Sequence, residues 1–249
     1  MSAFLQSFVG IGFLAFFIAS SVVGVRLLLL WRRTRELPEL LIGLGVLGIG
    51  PVGFGFLTVG ELCVTGAPAL AQVLIGTGLA AMSVGSGAKY VFNWRVYHPE
   101  NRGLRTLVGL ACLLLAVCFA WEYAATGFRT MVKPGPSYFL RLTLQVGCLL
   151  WGSAEALRYW DRMRRRVRLQ LADPVVANRF LLWGFGAGAA GVGSAVGAFM
   201  QWWTQLPPIE LPGVMLSSSL HGLAAAVAMW LAFVPNATYT RWIRARAAA

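Results

Sequence analysis

Long apolar runs separated by short polar links dominate the chain. A membrane-spanning helix needs about 20 mostly apolar residues. Seven stretches meet that length: residues 4–31, 40–62, 69–94, 104–125, 138–160, 174–203 and 213–234. The pattern predicts an all-α, polytopic membrane protein in which residues 1–249 form one bundle of seven spanning helices. Punctuation supports the boundaries. Pro68 precedes the third run. Asp173-Pro174 offers an N-cap followed by a proline at the first helical position of the sixth. Pro51 interrupts the second run and Pro235-Asn236 loosens the end of the seventh.

Charge placement tests the count. If there are seven spans, the first, third and fifth links and the C-terminal tail share one side. They carry four, four, seven and three basic residues, eighteen in all, and the opposite side carries only Arg129, Lys133 and Arg141. By the positive-inside rule the eighteen face the cytoplasm, so the N-terminus is outside and the C-terminus inside. The first eight residues lack a basic region and a small-x-small cleavage site, so they read as the start of a retained helix.

The fifth span carries the most chemistry. Arg141, Gln145, Cys148, Gly152 and Glu155 recur at steps of four, three, four and three, which places them on one helical face. Glu155 lies about 7 Å inside Trp160 along the axis. A carboxylate at that depth must be paired, protonated or watered. Arg158, three residues on, can pair with it; a role in holding a ligand, proton or ion is the alternative. Trp151 and Tyr159 flank it as an aromatic stripe. Glu61, Glu122, Arg141 and Glu210 are expected near the outer face, where Glu122 and Arg141 can form a clasp or line an outward vestibule. His221, with Ser217 one turn before it, either packs with a hydrogen bond or shuttles protons. Lys89 is expected to snorkel to the cytoplasmic interface.

The 249 residues are 58% hydrophobic and 12% charged. A soluble domain carries about a quarter charged residues, so composition agrees with the pattern. Abundant Ala, Gly and Arg are compatible with a GC-rich bacterial genome, and the expected location is a bacterial inner membrane. Cys63, Cys112, Cys118 and Cys148 form no C-x-x-C pair and read as small buried hydrophobes. No zinc cluster can be assembled from His98 and His221, no G-x-S-x-G motif is present, and no cofactor is implied. The net charge of +12 reads as a topology signal that also attracts anionic lipid, with no nucleic-acid partner expected.

Glycine spacing repeats. Gly43, Gly45, Gly48 and Gly50 in the second span match Gly186, Gly188, Gly191 and Gly193 in the sixth. Spans three and seven both end as aromatic-x-Pro, at Tyr97-His98-Pro99 and Phe233-Val234-Pro235. Spans one to three and five to seven can therefore be a parallel repeat linked by span four. Such glycine faces serve close helix packing, within the bundle or between protomers of a homo-oligomer.

The layout resembles that of microbial rhodopsins, G-protein-coupled receptors and SWEET-type sugar transporters, but in topology only. The stretch from His221 to Trp230 has no lysine, which argues against a retinal pigment. Pro235-Asn236-x-x-Tyr239 inverts the receptor family's Asn-Pro-x-x-Tyr, and the SWEET family's Pro-Gln signature is absent. No family is assigned. Two functions are expected from the residues. The first is a non-enzymatic sensor that binds a small molecule from the outer side and presents the cytoplasmic Arg158–Arg179 loop to a partner or lipid. The second is a small transporter or channel with a polar path through Gln145, Glu155 and His221.

Overall fold

Each predicted apolar run is helical in the computed structural model, which describes residues 3–129, 135–206 and 210–248. α1 spans Ala3–Thr34. The second run is a rod made of α2 (Leu37–Ile49), a π-helical turn at Gly50–Phe54 and α3 (Gly55–Cys63). α4 (Pro68–Tyr97), α5 (Arg102–Thr126), α6 (Pro136–Arg168), α7 (Pro174–Thr204) and α8 (Pro212–Phe233) follow, and α9 (Ala237–Ala248) ends the chain. No strand occurs among the described residues. Lys133, which the charge count used, lies outside them.

Local chemistry sets the ends. The Asp173 carboxylate accepts from the Val175 N–H at 2.8 Å, and Pro174 opens α7, as the sequence predicts. Asn101 caps α5 in the same way, accepting from the Leu104 N–H at 3.0 Å. Gly127 closes α5 with a left-handed conformation, φ 59°, which glycine adopts without steric cost.

Six helical segments are long and apolar enough to cross a membrane: Ser7–Thr34, Leu37–Cys63, Pro68–Tyr97, Arg102–Thr126, Pro174–Thr204 and Pro212–Phe233. This is the composition of a multi-pass membrane protein. Its outward surface agrees: Leu107, Leu110 and Leu113 of α5, and Val73, Phe185 and Phe199 elsewhere, are exposed apolar side chains. α6 is not among the six. Arg141, Gln145, Glu155 and Arg158 dilute its apolar half, yet it is the longest helix described. Its 33 residues extend about 50 Å at 1.5 Å per residue.

Neighbour packing closes a ring in the order α1, α2, α4, α6, α7, α8 and back to α1, with α5 outside it against α4 and α6. Val23 and Leu27 of α1, Val46 of α2, Ala156 of α6, Trp183 of α7 and Met229 of α8 meet in one core cluster. A second, between α3 and α4, holds Leu57, Ile75, Leu79 and Met82, with Phe128 folded onto it.

The repeated glycines are used inside one chain. A Cβ on Gly48 would lie 2.6 Å from the Ala81 carbonyl and 2.9 Å from the Gly85 Cα. The α2 and α4 backbones touch there because neither residue has a side chain. In α7, Gly184 and Gly188 receive Leu157 and Ser153 of α6, and Gly193 receives His221 of α8. The π-helical turn also has a local cause. Pro51 cannot donate to the carbonyl of Leu47, and the rod absorbs the defect as one wide turn.

The basic run after Trp160 differs from expectation. It is not a loop: α6 continues to Arg168, and the Arg158–Arg179 segment contains the end of one helix and the start of the next. Asp161 pairs with Arg164 at 2.9 Å and with Arg165 at 3.1 Å. These are the i,i+3 and i,i+4 contacts that support a helix beyond its apolar part. The basic tail is likewise helical. α9 docks on the start of α7, with Asn178 donating to the Tyr239 hydroxyl at 2.9 Å and Arg244 3.9 Å from Asp173.

Candidate functional site

The polar face predicted on α6 is entirely inside the protein. Arg141, Gln145, Cys148, Gly152 and Glu155 are all buried. They face α4, whose own polar residues Ser86, Lys89 and Asn93 are buried too. The two helices run in the same direction in a constant register. The Arg141 guanidinium lies 3.8 Å from the Met82 sulfur, the Tyr90 hydroxyl donates to the Leu144 carbonyl at 2.7 Å, and the Asn93 amide donates to the Cys148 carbonyl at 3.0 Å. His98, just beyond α4, meets Glu155 at the last rung.

An ion pair stands at each end of this seam. At the end away from the arginine-rich segments, Arg141 Nε donates to Glu122 Oε2 of α5 at 3.2 Å. Arg141 is 2% exposed and Glu122 7%, so the predicted clasp exists and is closed. The Arg141 guanidinium also lies 5.4 Å from the Tyr138 ring centre, and the Tyr138 hydroxyl donates to Gln201 of α7 at 2.7 Å. Four helices therefore converge on Arg141. A ligand that reaches Arg141 has to displace Glu122, and breaking a buried pair costs about 3–5 kcal/mol.

At the arginine-rich end, Glu155 is 8% exposed and its Oε1 has three partners. His98 Nε2 lies at 3.0 Å, Arg158 Nη1 at 3.1 Å and Trp151 Nε1 at 3.3 Å. The predicted pairing with Arg158 is present but is only part of the set. Trp151 also packs against the Tyr90 ring, with centroids 6.1 Å apart. His98 reaches Glu155 because Pro99 stops α4: a proline restricts the residue before it and cannot extend a helix.

Between the two pairs lies Lys89. It is 5% exposed, and its Nζ sits 4.2 Å from the centre of the Trp183 ring. The expectation that Lys89 snorkels is therefore corrected. Snorkelling needs a side chain on the lipid-facing side, whereas α4 turns Lys89 into the ring. Such a cation–π contact is worth up to about 2 kcal/mol when desolvated, well short of what burying an unpaired ammonium costs. No carboxylate lies within ion-pair distance of Lys89 among the described residues. Gln145 Oε1 on the facing helix is also buried without a hydrogen-bond partner, a penalty of about 1–3 kcal/mol.

Lys89 forms part of the wall of a cavity of about 50 Å³ at the centre of the ring. Ser20 of α1, Val46 of α2, Leu149 of α6, Trp183 of α7 and Met229 of α8 line it with Lys89, so all six ring helices contribute. Gly50, the first residue of the π-helical turn, is in the wall.

The remaining candidates lie on other helices. His221 is half-buried on α8, with Nδ1 2.7 Å from the Ser217 carbonyl of its own helix and its Cβ against Gly193 of α7. Glu61 is half-buried near the end of α3. Sequence reasoning misplaced Lys89 at the interface, gave His98 no partner, and did not single out Tyr138 or Gln201. A signal for the first was present: Met82, Ser86, Lys89 and Asn93 follow the steps of four, three and four that mark the face on α6. Comparison with protein-family models, with curated proteins and with solved structures returns no match.

Proposed function

We propose that the chain is a seven-span membrane protein, N-terminus outside, that passes a small solute along the ring axis beside the α4–α6 seam. The carrying observation is the buried polar seam with Lys89 at its middle and an ion pair at each end. Polar groups at this depth in a membrane helix are costly and are retained where they line a path or a site. Glu122–Arg141 and Glu155 with His98 and Arg158 are then its two closures, each opened by separating α6 from a neighbouring helix. Seven spans are supported by the reach of α6, which joins a helix pair at one end of the bundle to another at the opposite end. The inward placement of the eighteen basic residues supports the orientation and an anionic-lipid contact at the arginine-rich end. A bacterial inner membrane fits the composition.

The experiment is solute flux into proteoliposomes. Wild-type protein should accelerate uptake over empty vesicles, and Glu155→Gln and Arg141→Met should change its rate. Uptake no faster than in empty vesicles for inorganic ions, protons and small organic solutes would remove this reading.

A second reading, a sensor of a small molecule on the outer side, is favoured by one observation. A single rigid helix, α6, connects the Arg141–Glu122 clasp to the basic run ending at Arg168. Breaking the clasp would shift that run, and a ligand-dependent thermal shift without flux would select this reading. The glycine faces of α2 and α7 are filled within one chain, so a homo-oligomer would use other surfaces.

A further inference from the structure

We propose that the axial cavity binds a small monovalent inorganic anion, with the Lys89 ammonium as its counter-charge. The inference deepens the transport reading by naming the substrate class, although binding itself needs only the cavity.

Charge comes first. Along the α4–α6 seam, Arg141 is paired with Glu122, and Glu155 is held by Arg158 and His98. Lys89 has the Trp183 face and no carboxylate among the described residues. A charged Lys89 has no compensating carboxylate there, in a setting where a lone ion is strongly disfavoured. A mobile anion removes that penalty. A ring face stabilises a cation while leaving its remaining N–H donors free for another partner.

Size and lining come next. About 50 Å³ is well above the roughly 10–15 Å³ that a cavity needs to hold one water. That leaves room for one monatomic or small polyatomic ion. The walls at Val46, Leu149, Trp183 and Met229 offer little to replace a hydration shell. Weakly hydrated ions such as nitrate and thiocyanate are therefore preferred over sulfate, whose second charge Lys89 cannot match.

Positioning comes third. A Cβ on Gly45 would lie 2.6 Å from the Lys89 Cγ. The missing side chain on α2 is what lets the Lys89 stem lie against that helix in the cavity wall, with its nitrogen over the Trp183 ring. Gly50 in the wall belongs to the π-helical turn, the kind of helix defect found often at functional sites.

The test uses the full chain in neutral detergent, at constant ionic strength with gluconate as the balancing anion. Sodium nitrate, thiocyanate, chloride and sulfate are titrated, reading melting temperature and tryptophan emission, with Trp183→Phe to assign the optical signal. Saturable stabilisation by nitrate and thiocyanate, and none by sulfate, is expected. Lys89→Met should weaken it by roughly thirtyfold or more, the scale for losing one partner of a buried charge pair. Gly45→Ala should weaken it without removing the charge, and it serves if Lys89→Met does not fold. No saturable response in folded wild type, or equal affinities in wild type and the folded variants, overturns the site. Flux in proteoliposomes separates the two ideas. Anion binding without transport of any solute refutes the transport reading and leaves the site standing, and transport of another solute without anion binding does the reverse.

Discussion

His98 Nε2 lies 3.0 Å from Glu155 Oε1, joining the residue that ends α4 to the last polar position of the α6 face. With an ionised carboxylate, this contact requires the proton on Nε2. It fixes the end of α4 against α6 where Pro99 has already stopped the helix. His98→Ala should lower stability by about 1 kcal/mol, below the roughly 1.5–3 kcal/mol of a hydrogen bond to a charged group because the histidine is about one-third exposed. Glu155→Leu leaves His98, Trp151 and Arg158 without their shared acceptor and should cost more, about 2–3 kcal/mol. Thermal unfolding in detergent measures both, and the reverse ranking would show that the carboxylate does not organise this end.

The Glu122–Arg141 pair makes a sharper prediction because both partners are buried. Removing one leaves a charge stranded, so Glu122→Leu and Arg141→Met should each destabilise by about 3–5 kcal/mol. Removing both together should recover most of that loss, since apolar replacements of a buried pair are often near neutral. A double-mutant cycle reads the coupling directly. Simply additive losses would mean that the two side chains do not depend on each other.

Backbone contact between α2 and α4 predicts an ordering of glycine substitutions. Gly48→Ala places a methyl 2.6 Å from the Ala81 carbonyl and should cost about 1–3 kcal/mol, as overpacking does. On α5, a Cβ at Gly109 meets nothing within 4 Å. Gly109→Ala should be neutral or gain up to about 1 kcal/mol from helix propensity. Equal effects at the two sites in thermal unfolding would refute the close approach.

Much of this arrangement was legible in the sequence, for physical reasons that also explain the gaps. Span length is imposed by the bilayer, so apolar runs locate helices to within a few residues. The end of α6 was missed because helicity beyond Trp160 depends on propensity and on pairs such as Asp161–Arg165, which a hydropathy pattern does not register. Pro51 was visible as a defect, but whether a helix kinks, breaks or widens there is decided by its neighbours, here Gly48 against Gly85. The α6 face was legible from spacing alone. Its partner face was obscured because Lys89 and Asn93 sit among small residues, and the register between two helices is not a local property. His221 was expected on one polar path with Glu155 but does not touch it: its ring meets Ser217 of its own helix. Depth can be read from one helix, while proximity depends on the order of helices around the ring.

Orientation gives the last prediction. Arg129 follows the end of α5, Arg166 lies near the end of α6, and both are exposed. Helix α6, about 50 Å long, separates their two ends of the bundle. If the eighteen basic residues face the cytoplasm, a cysteine at position 129 is outside and one at position 166 is inside. The variants Arg129→Cys and Arg166→Cys are made after replacing Cys63, Cys112, Cys118 and Cys148. A membrane-impermeant maleimide should label the first in intact cells and the second only after permeabilisation. Labelling of both in intact cells would show that α6 does not cross the membrane. Exchange of the two patterns would keep seven spans and reverse the orientation, placing the Glu122–Arg141 clasp on the cytoplasmic side.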